Sequence, residues 1–367
     1  MPRGVVDYFH KTSGYGFITS EETSSDVFFH MTEVGDEDPE PDQVVRFSYK
    51  HTHKGLRATS LDLDTEQDIE HNEPNNKSWT DTINKNLPDS VPNAPNISIE
   101  YGEITDKQPI AGGGNADIMR ATLPGHDSNL MIAVKKPRIN GALAMSTVEG
   151  MLEEAKLWSK IDDHDHIVDV VDYDGKPIPW IALEYMDGGH LGERCGEMET
   201  AEALWTAVVI TEAVYYAHRQ NIAHLDLKPE NILFRSIDRS WDVPKVSDWG
   251  LSKYLHQHSK SIEALSVEYA APEQFDDEYG HTDDLTDIYQ LGAVFYDLFT
   301  GRPPFEGQPF KIMNKIKSDR PTPPSEISDV PEGLDDILMR ALAKEKADRY
   351  DDIVYLRDDL QQLFTRL

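Results

Sequence analysis

The chain has 367 residues, 67 Asp+Glu against 35 Lys+Arg, a net charge of −32 and 38% hydrophobic residues. That length holds two or three folded units, the largest with a sizeable core. Apolar patches along the whole chain exclude an acidic disordered tail, and the composition excludes collagen, coiled coil and a disulfide scaffold.

Short β-branched and aromatic runs come first, at 4–9, 14–19, 26–30, 44–49 and 56–63, separated by polar turns. Five strands in about 60 residues is the size of a small closed barrel. From Asp64 to Asn96 the chain is dominated by Asn, Asp and Glu, with prolines at 74, 88, 92 and 95. Such a stretch buries too little apolar surface to offset its ordering entropy and reads as a linker. A short helix over 79–87 fits there, capped by Ser78 with Trp79 and Ile83 on one face. Beyond Ile97, strands are expected at 132–135 and 180–185 and a helix at 149–161. Helical periodicity then continues through 202–219, 286–299, 333–343 and 351–364. Strands before helices predict a two-lobed α+β domain.

The acidic excess has three candidate causes: solvated tails, a basic partner or a salty solvent. It is net −6 over residues 1–64 and net −26 over the remainder, so it is spread through the chain. In molar salt the Debye length falls to about 3 Å, and a crowded carboxylate surface repels itself little. The composition resembles that of salt-in halophilic archaeal proteins. The single cysteine, Cys195, cannot form an internal disulfide and has no partnered base in the sequence. No apolar run reaches about 18 residues and the N-terminus lacks a signal core, so a cytoplasmic protein with no membrane partner is expected.

The most informative stretch is His224-Leu-Asp226-Leu-Lys228-Pro-Glu-Asn231, followed by Asp248-Trp249-Gly250 and Ala271-Pro272-Glu273. Ala133-Val134-Lys135 and Glu154 lie upstream in the same order. Alone, each of these residues reads as a solvated surface group; it is the ordered set that carries meaning. The set resembles the eukaryotic-type (Hanks-type) serine/threonine protein kinases over roughly residues 100–367.

That resemblance implies ATP and Mg²⁺ as cofactors and protein Ser/Thr hydroxyls as acceptors. Asp226 is expected to orient the hydroxyl and Lys228 to reach the γ-phosphate. Lys135 would neutralise the α- and β-phosphates, held by Glu154, which fits the family register better than its neighbour Glu153. Asn231 and Asp248 supply the hard oxygens that magnesium prefers. Leu183-Glu184-Tyr185-Met186 resembles the adenine-binding hinge, with Glu184 and Met186 as contacts. Ile110, Gly112, Gly113, Gly114, Ile118 and Ala133 would cover the nucleotide.

The chain departs from the family pattern at several points. In Ala111-Gly-Gly-Gly-Asn-Ala-Asp-Ile118 the first and third glycines of the phosphate-covering loop are alanines, which disfavour positive φ. Leu225 stands where most relatives have the arginine that receives a phosphorylated activation loop. Activity is therefore expected not to depend strictly on phosphorylation there, although Ser259 and Ser261 lie in that segment. Ser266 is placed as a structural hydroxyl contacting Asp226 and Lys228. Trp249 replaces phenylalanine and His224 is expected to pack beneath the catalytic loop. Asp287 matches the buried Asp that holds this loop, and Arg349 the partner of Glu273.

In the first segment, Lys11-Thr-Ser-Gly-Tyr15-Gly-Phe17-Ile18 and Asp26-Val-Phe28-Phe-His30 resemble the two nucleic-acid-binding motifs of cold-shock domains. The match covers roughly residues 2–64. Period-two spacing makes Tyr15, Phe17, Phe28 and His30 a stacking platform for unpaired bases, with Tyr8 and Lys11 beside it. RNA or single-stranded DNA is the implied partner.

The expected architecture is multidomain. A small all-β, OB-type, cold-shock-like five-stranded barrel spans 1–64 and a flexible linker 65–98. A bilobal α+β protein kinase fold spans 99–367, its N-lobe 99–185 and its C-lobe 186–367. The competing reading is a nucleic-acid-binding regulator with a nucleotide-sensing pseudokinase; a third makes the barrel an interaction or autoinhibitory domain.

Overall fold

The computed structural model describes residues 2–10, 15–20, 22–23, 27–30, 43–52, 55–63, 86–88, 90–95, 97–113, 116–125, 129–138, 145–249 and 266–367. The chain divides into two compact units, Met1–Asn76 and Lys77–Leu367.

The first unit is a closed barrel of β1 (Arg3–His10), β2 (Tyr15–Thr19), β3 (Val27–His30), β4 (Val44–Thr52) and β5 (Gly55–Leu63), in the order β1-β2-β3-β5-β4. Alternation drives it: Val6, Ile18, Val27, Phe29, Val45 and Phe47 are fully buried and form one cluster with Leu56, Ala58 and Leu61. Gly4 is required at its position, because a Cβ there would lie 2.4 Å from an Ile18 methyl and 2.7 Å from the Thr19 carbonyl.

The second unit opens with an antiparallel sheet ordered β6-β7-β8-β10-β9. Its strands are β6 (Thr105–Gly113), β7 (Ala116–Leu123), β8 (Leu130–Pro137), β9 (Val170–Asp174) and β10 (Trp180–Glu184). Helix α1 (Met145–Trp158) packs against β9. The second lobe is built on α2 (Thr200–Arg219) and α3 (Asp284–Thr300), and α3 is buried without a break from Thr286 to Leu298. A helix buried on every side belongs in the centre of a core. Asp283 caps α3 by accepting from the Leu285 N–H, and Gly301, at φ 72°, ends it in the left-handed region. A hairpin of β11 (Ile232–Arg235) and β12 (Val243–Val246) lies against α2. Helices α4 (Pro309–Ser318), α5 (Leu334–Ala341) and α6 (Ile353–Thr365) complete the lobe.

A flexible linker as far as residue 98 does not describe its second half. The Asn86 carbonyl accepts from the Trp241 N–H at 2.6 Å and Leu87 packs on the core of the second lobe. Ala94 and Ile97 pack on the core of the sheet, and the Ile99 N–H donates to Asp172 at 2.6 Å. Polar composition concealed this docking, because the segment is held largely by its own backbone groups and few side chains. Residues 79–85, where the short helix fits, lie outside the described residues.

No helix among the described residues is long and apolar enough to cross a membrane.

Candidate active site

The segment His224–Asn231 crosses between α2 and β11 and is pinned mainly from α3. Asp287, fully buried, accepts the N–H groups of His224 and Leu225, each at 2.7 Å. Gln290, one turn on, accepts the Leu227 N–H at 3.0 Å. The Leu225 carbonyl accepts from Gln274 at 3.0 Å and from Gln290 at 3.3 Å. Leu225 itself has φ 64°, a costly conformation for leucine that these five bonds maintain. Its side chain is buried, so no charged group is needed at this position to order the loop. His224 also packs beneath it: its ring lies 4.8 Å from that of Trp249, Nε2 donates to the Ser247 carbonyl at 2.8 Å and Nδ1 accepts from the Asp226 N–H.

So held, Asp226 and Lys228 form an ion pair of 2.8 Å, both about one-fifth exposed. Asn231 donates through Nδ2 to the Asp226 carbonyl at 2.8 Å, which leaves its Oδ1 as an oxygen donor. Asp248 follows β12 with φ 63°. Lys135, on β8, reaches both Glu154 on α1 at 2.8 Å and Asp248 at 2.9 Å. Glu153 is exposed, so the helix phase alone selects Glu154.

Electrostatics follow from this packing. Burial alone would push the Lys135 ammonium down, but Asp248 and Glu154 outweigh it and hold the group charged well above the usual lysine value. Burial would raise Asp248; Lys135, with Lys228 further off, pulls it below the usual carboxylate range. Burial pushes Glu154 up against the opposing pull of Lys135. The two oxygens offered by Asp248 and Asn231 fit magnesium, which takes one or two protein ligands and fills its shell with phosphate oxygens and water. Among the described residues no cluster of three His, Cys, Asp or Glu side chains forms a metal cage.

Leu183 and Glu184 end β10 opposite Ala133 and Ile132 of β8, two and three residues along from the pairing of Ile181 with Lys135. Glu184 turns its side chain into the interior, onto Lys245, rather than toward a ligand. Met186 is partly buried against the core, and Ile118 packs there too; Ile110 is half exposed. Gly112 and Gly113 continue the β6–β7 hairpin opposite Asp117 and Ala116, while Gly114 lies outside the described residues. Ser259 and Ser261 also lie outside them. Ser266 makes no hydrogen bond to Asp226 or Lys228. Burial pushes the Cys195 thiol far up, which leaves it inert.

In the barrel the backbone register pairs Tyr8 with Phe17, Phe17 with Phe28, and Tyr15 with His30. Lys11 lies outside the described residues, as do the side chains of these five.

A protein kinase domain model matches residues 105–358, well over half of the chain. The chain belongs to the protein kinase family. A 'cold-shock' DNA-binding domain model matches residues 2–63 ahead of the kinase domain. A probable serine/threonine-protein kinase of Corynebacterium efficiens is 32% identical over 275 residues, covering 69% of this chain and 40% of that protein. The serine/threonine-protein kinase PrkC of Bacillus subtilis is 31% identical over 265 residues, 70% of this chain and 39% of that one. Pkn1 of Myxococcus xanthus is 33% identical over 241 residues, 63% and 34%. The chain thus spans between a third and two fifths of the length of these curated relatives.

Sequence reasoning missed Gln274, Gln290 and Lys245. Gln290 shares the face of Asp287 three residues on, and Gln274 directly follows Glu273. Lys245 stands in the otherwise apolar strand Val243-Pro-Lys-Val246, and a lysine there was the available signal.

The kinase lobe also carries a buried titrating histidine. His218, near the end of α2, donates to Asp287 at 2.7 Å. Burial pushes His218 down; the bond to Asp287, with Asp284 and Asp352 adding, raises it above its usual 6.5. The pair therefore stabilises fully below about pH 6.5, and this contribution is lost as pH rises through the raised value. Denaturant melts at about pH 6 and about pH 9 should show wild type losing more stability than His218→Gln over that interval. Equal losses would show that His218 protonation is not coupled to folding.

Proposed function

We propose that the chain is a serine/threonine protein kinase that transfers the γ-phosphate of ATP to protein hydroxyl groups, and that its barrel binds RNA or single-stranded DNA. The observation carrying the first part is the buried Lys135 ammonium held by both Glu154 and Asp248. An enzyme of this kind works by positioning and charge. Lys135 holds the α- and β-phosphates, while Leu183 to Met186 seat the adenine. Asp226 orients the acceptor hydroxyl and takes its proton as the oxygen bonds to the γ-phosphorus and the bond from that phosphorus to the bridging β-phosphate oxygen breaks, releasing ADP. Lys228, paired with Asp226, faces the transferring group. Magnesium, when bound through Asp248 and Asn231, offsets charge on the phosphate oxygens.

The intact ion-paired set weighs against a pseudokinase, despite the alanines in the phosphate-covering loop. With the full chain in molar KCl, Mg²⁺ and ATP, ADP should accumulate together with protein-bound phosphate. Nucleotide binding without transfer would instead establish the sensor reading.

For the barrel, the supporting observations are the cold-shock match and the register of Phe17 with Phe28. Its net charge of −6 leaves stacking, worth about 1–3 kcal/mol per base, as the main source of affinity. Oligo-pyrimidine should quench Tyr fluorescence, bind only slightly less tightly as salt rises, and lose its effect in Phe17→Ala/Phe28→Ala. No quenching by the wild-type protein would favour a protein-binding barrel. The acidic surface elsewhere is solvent adaptation of the halophilic kind.

A further inference from the structure

Lys245 is fully buried on β12, three residues before Asp248, and the chemistry described above does not use it. An ammonium there is costly unless each of its three protons finds an acceptor. Its acceptors come from two separate places. Glu184, the last residue of β10, accepts at 2.7 Å; the Pro92 carbonyl and the Asn93 Oδ1 accept at 3.1 and 3.2 Å. Asp169 lies at 3.6 Å and itself accepts from the Ala94 N–H. The Asp169 carbonyl accepts in turn from the Glu184 N–H at 2.9 Å.

Residues 92–94 therefore supply two of the three acceptors of the ammonium and one donor to its second carboxylate. Without them, Lys245 and Asp169 are left buried and short of partners, and both must move or admit water. Glu184, bonded to both, immediately follows Leu183 in the segment that seats the adenine. Further contacts keep the strap in register: Asn93 donates to Asp165 at 3.3 Å and the Ile99 N–H to Asp172 at 2.6 Å.

We propose that Lys245 is a positioning residue, through which the strap formed by residues 92–94 holds the adenine-binding end of β10 in place. The proposal rests on the kinase reading for the identity of the nucleotide. The strap is part of the chain joining the barrel to the kinase domain, so release of this segment weakens nucleotide binding without touching the phosphate-transfer groups.

The test uses the full chain and two variants, Asn93→Ala and Lys245→Met, with ADP as the probe. In Asn93→Ala, hydrogen exchange at the Ala94 and Ile99 amides should accelerate about tenfold, and the ADP Kd should rise about threefold. The KM for ATP should rise with the Kd while kcat stays within about twofold, a split that general loss of structure does not give. In Lys245→Met the ADP Kd should rise further; should that variant fail to fold, Asn93→Ala decides alone. Faster exchange in the strap with an unchanged ADP Kd overturns the proposal, as does a raised Kd with unchanged exchange. If wild type binds ADP yet transfers no phosphate, the kinase reading fails, and the Kd and exchange results still decide the strap.

Discussion

Asp226→Asn should lose phosphate transfer by about 10²–10⁴-fold, the range for removing a positioned general base. ADP affinity should stay within about twofold, because in the proposed mechanism Asp226 meets the acceptor hydroxyl and not the adenine or the α- and β-phosphates. Asparagine preserves shape and an oxygen for Lys228, now 2.8 Å from Asp226, but cannot take the proton. The loop backbone should be undisturbed, since Asp287, Gln290 and Gln274 hold it through main-chain groups of residues 224, 225 and 227. Retained transfer in this variant, measured with γ-labelled ATP, would remove Asp226 from the chemistry.

The largest effect on stability is expected from Arg349→Met. Arg349 is buried and meets Glu273 with two parallel bonds of 2.7 and 2.8 Å, both side chains sealed from solvent. Its remaining donors go to the carbonyls of Ala343, Leu285 and Lys344. Removing the guanidinium strands a carboxylate whose one remaining side-chain donor is Thr286, at a cost of about 3–5 kcal/mol. The pH dependence gives the mechanism away. Burial would raise Glu273, but Arg349 and Thr286 pull it below its usual 4.5. In wild type its contribution is present above that value and is lost as pH falls through the lowered one. In the variant burial is opposed only by the Thr286 and backbone hydrogen bonds, so the pKa is expected to rise and acid to relieve the penalty. The stability gap between the two proteins should narrow from about pH 7 to about pH 4, and a constant gap would rule out an orphaned carboxylate.

The barrel strands were legible because each alternates: Val6, Ile18, Val27, Phe29, Val45 and Phe47 point to one interior. Helices α2 and α3 were legible because long, mostly apolar segments carry them. Helix α4 was not, since it buries only Ile312 and Ile316 and exposes Phe310, too sparse a pattern to mark a period. The proposed catalytic set was picked out by order and spacing, and the fold pairs Lys135 with Glu154 and Asp248, and Asp226 with Lys228. The strap and Lys245 were not, because main-chain carbonyls and amides carry no residue signature.

The acidity is clearer in this light. Among the described residues, the buried carboxylates Glu154, Asp169, Glu184, Glu212, Glu273, Asp287 and Asp297 each have a partner, in turn Lys135, Lys245, Lys245, Arg357, Arg349, His218 and Tyr269. The excess negative charge therefore sits outside the core, where solvent and salt act on it.

The most direct test is the chemical nature of the phosphate the protein forms. Wild-type full chain incubated with Mg²⁺ and γ-labelled ATP, then hydrolysed in acid, should give labelled phosphoserine or phosphothreonine and none from Asp226→Asn. Label only on tyrosine, or no acid-stable label from wild type that binds ATP, would contradict a serine/threonine kinase built on Lys135, Asp226 and Asp248.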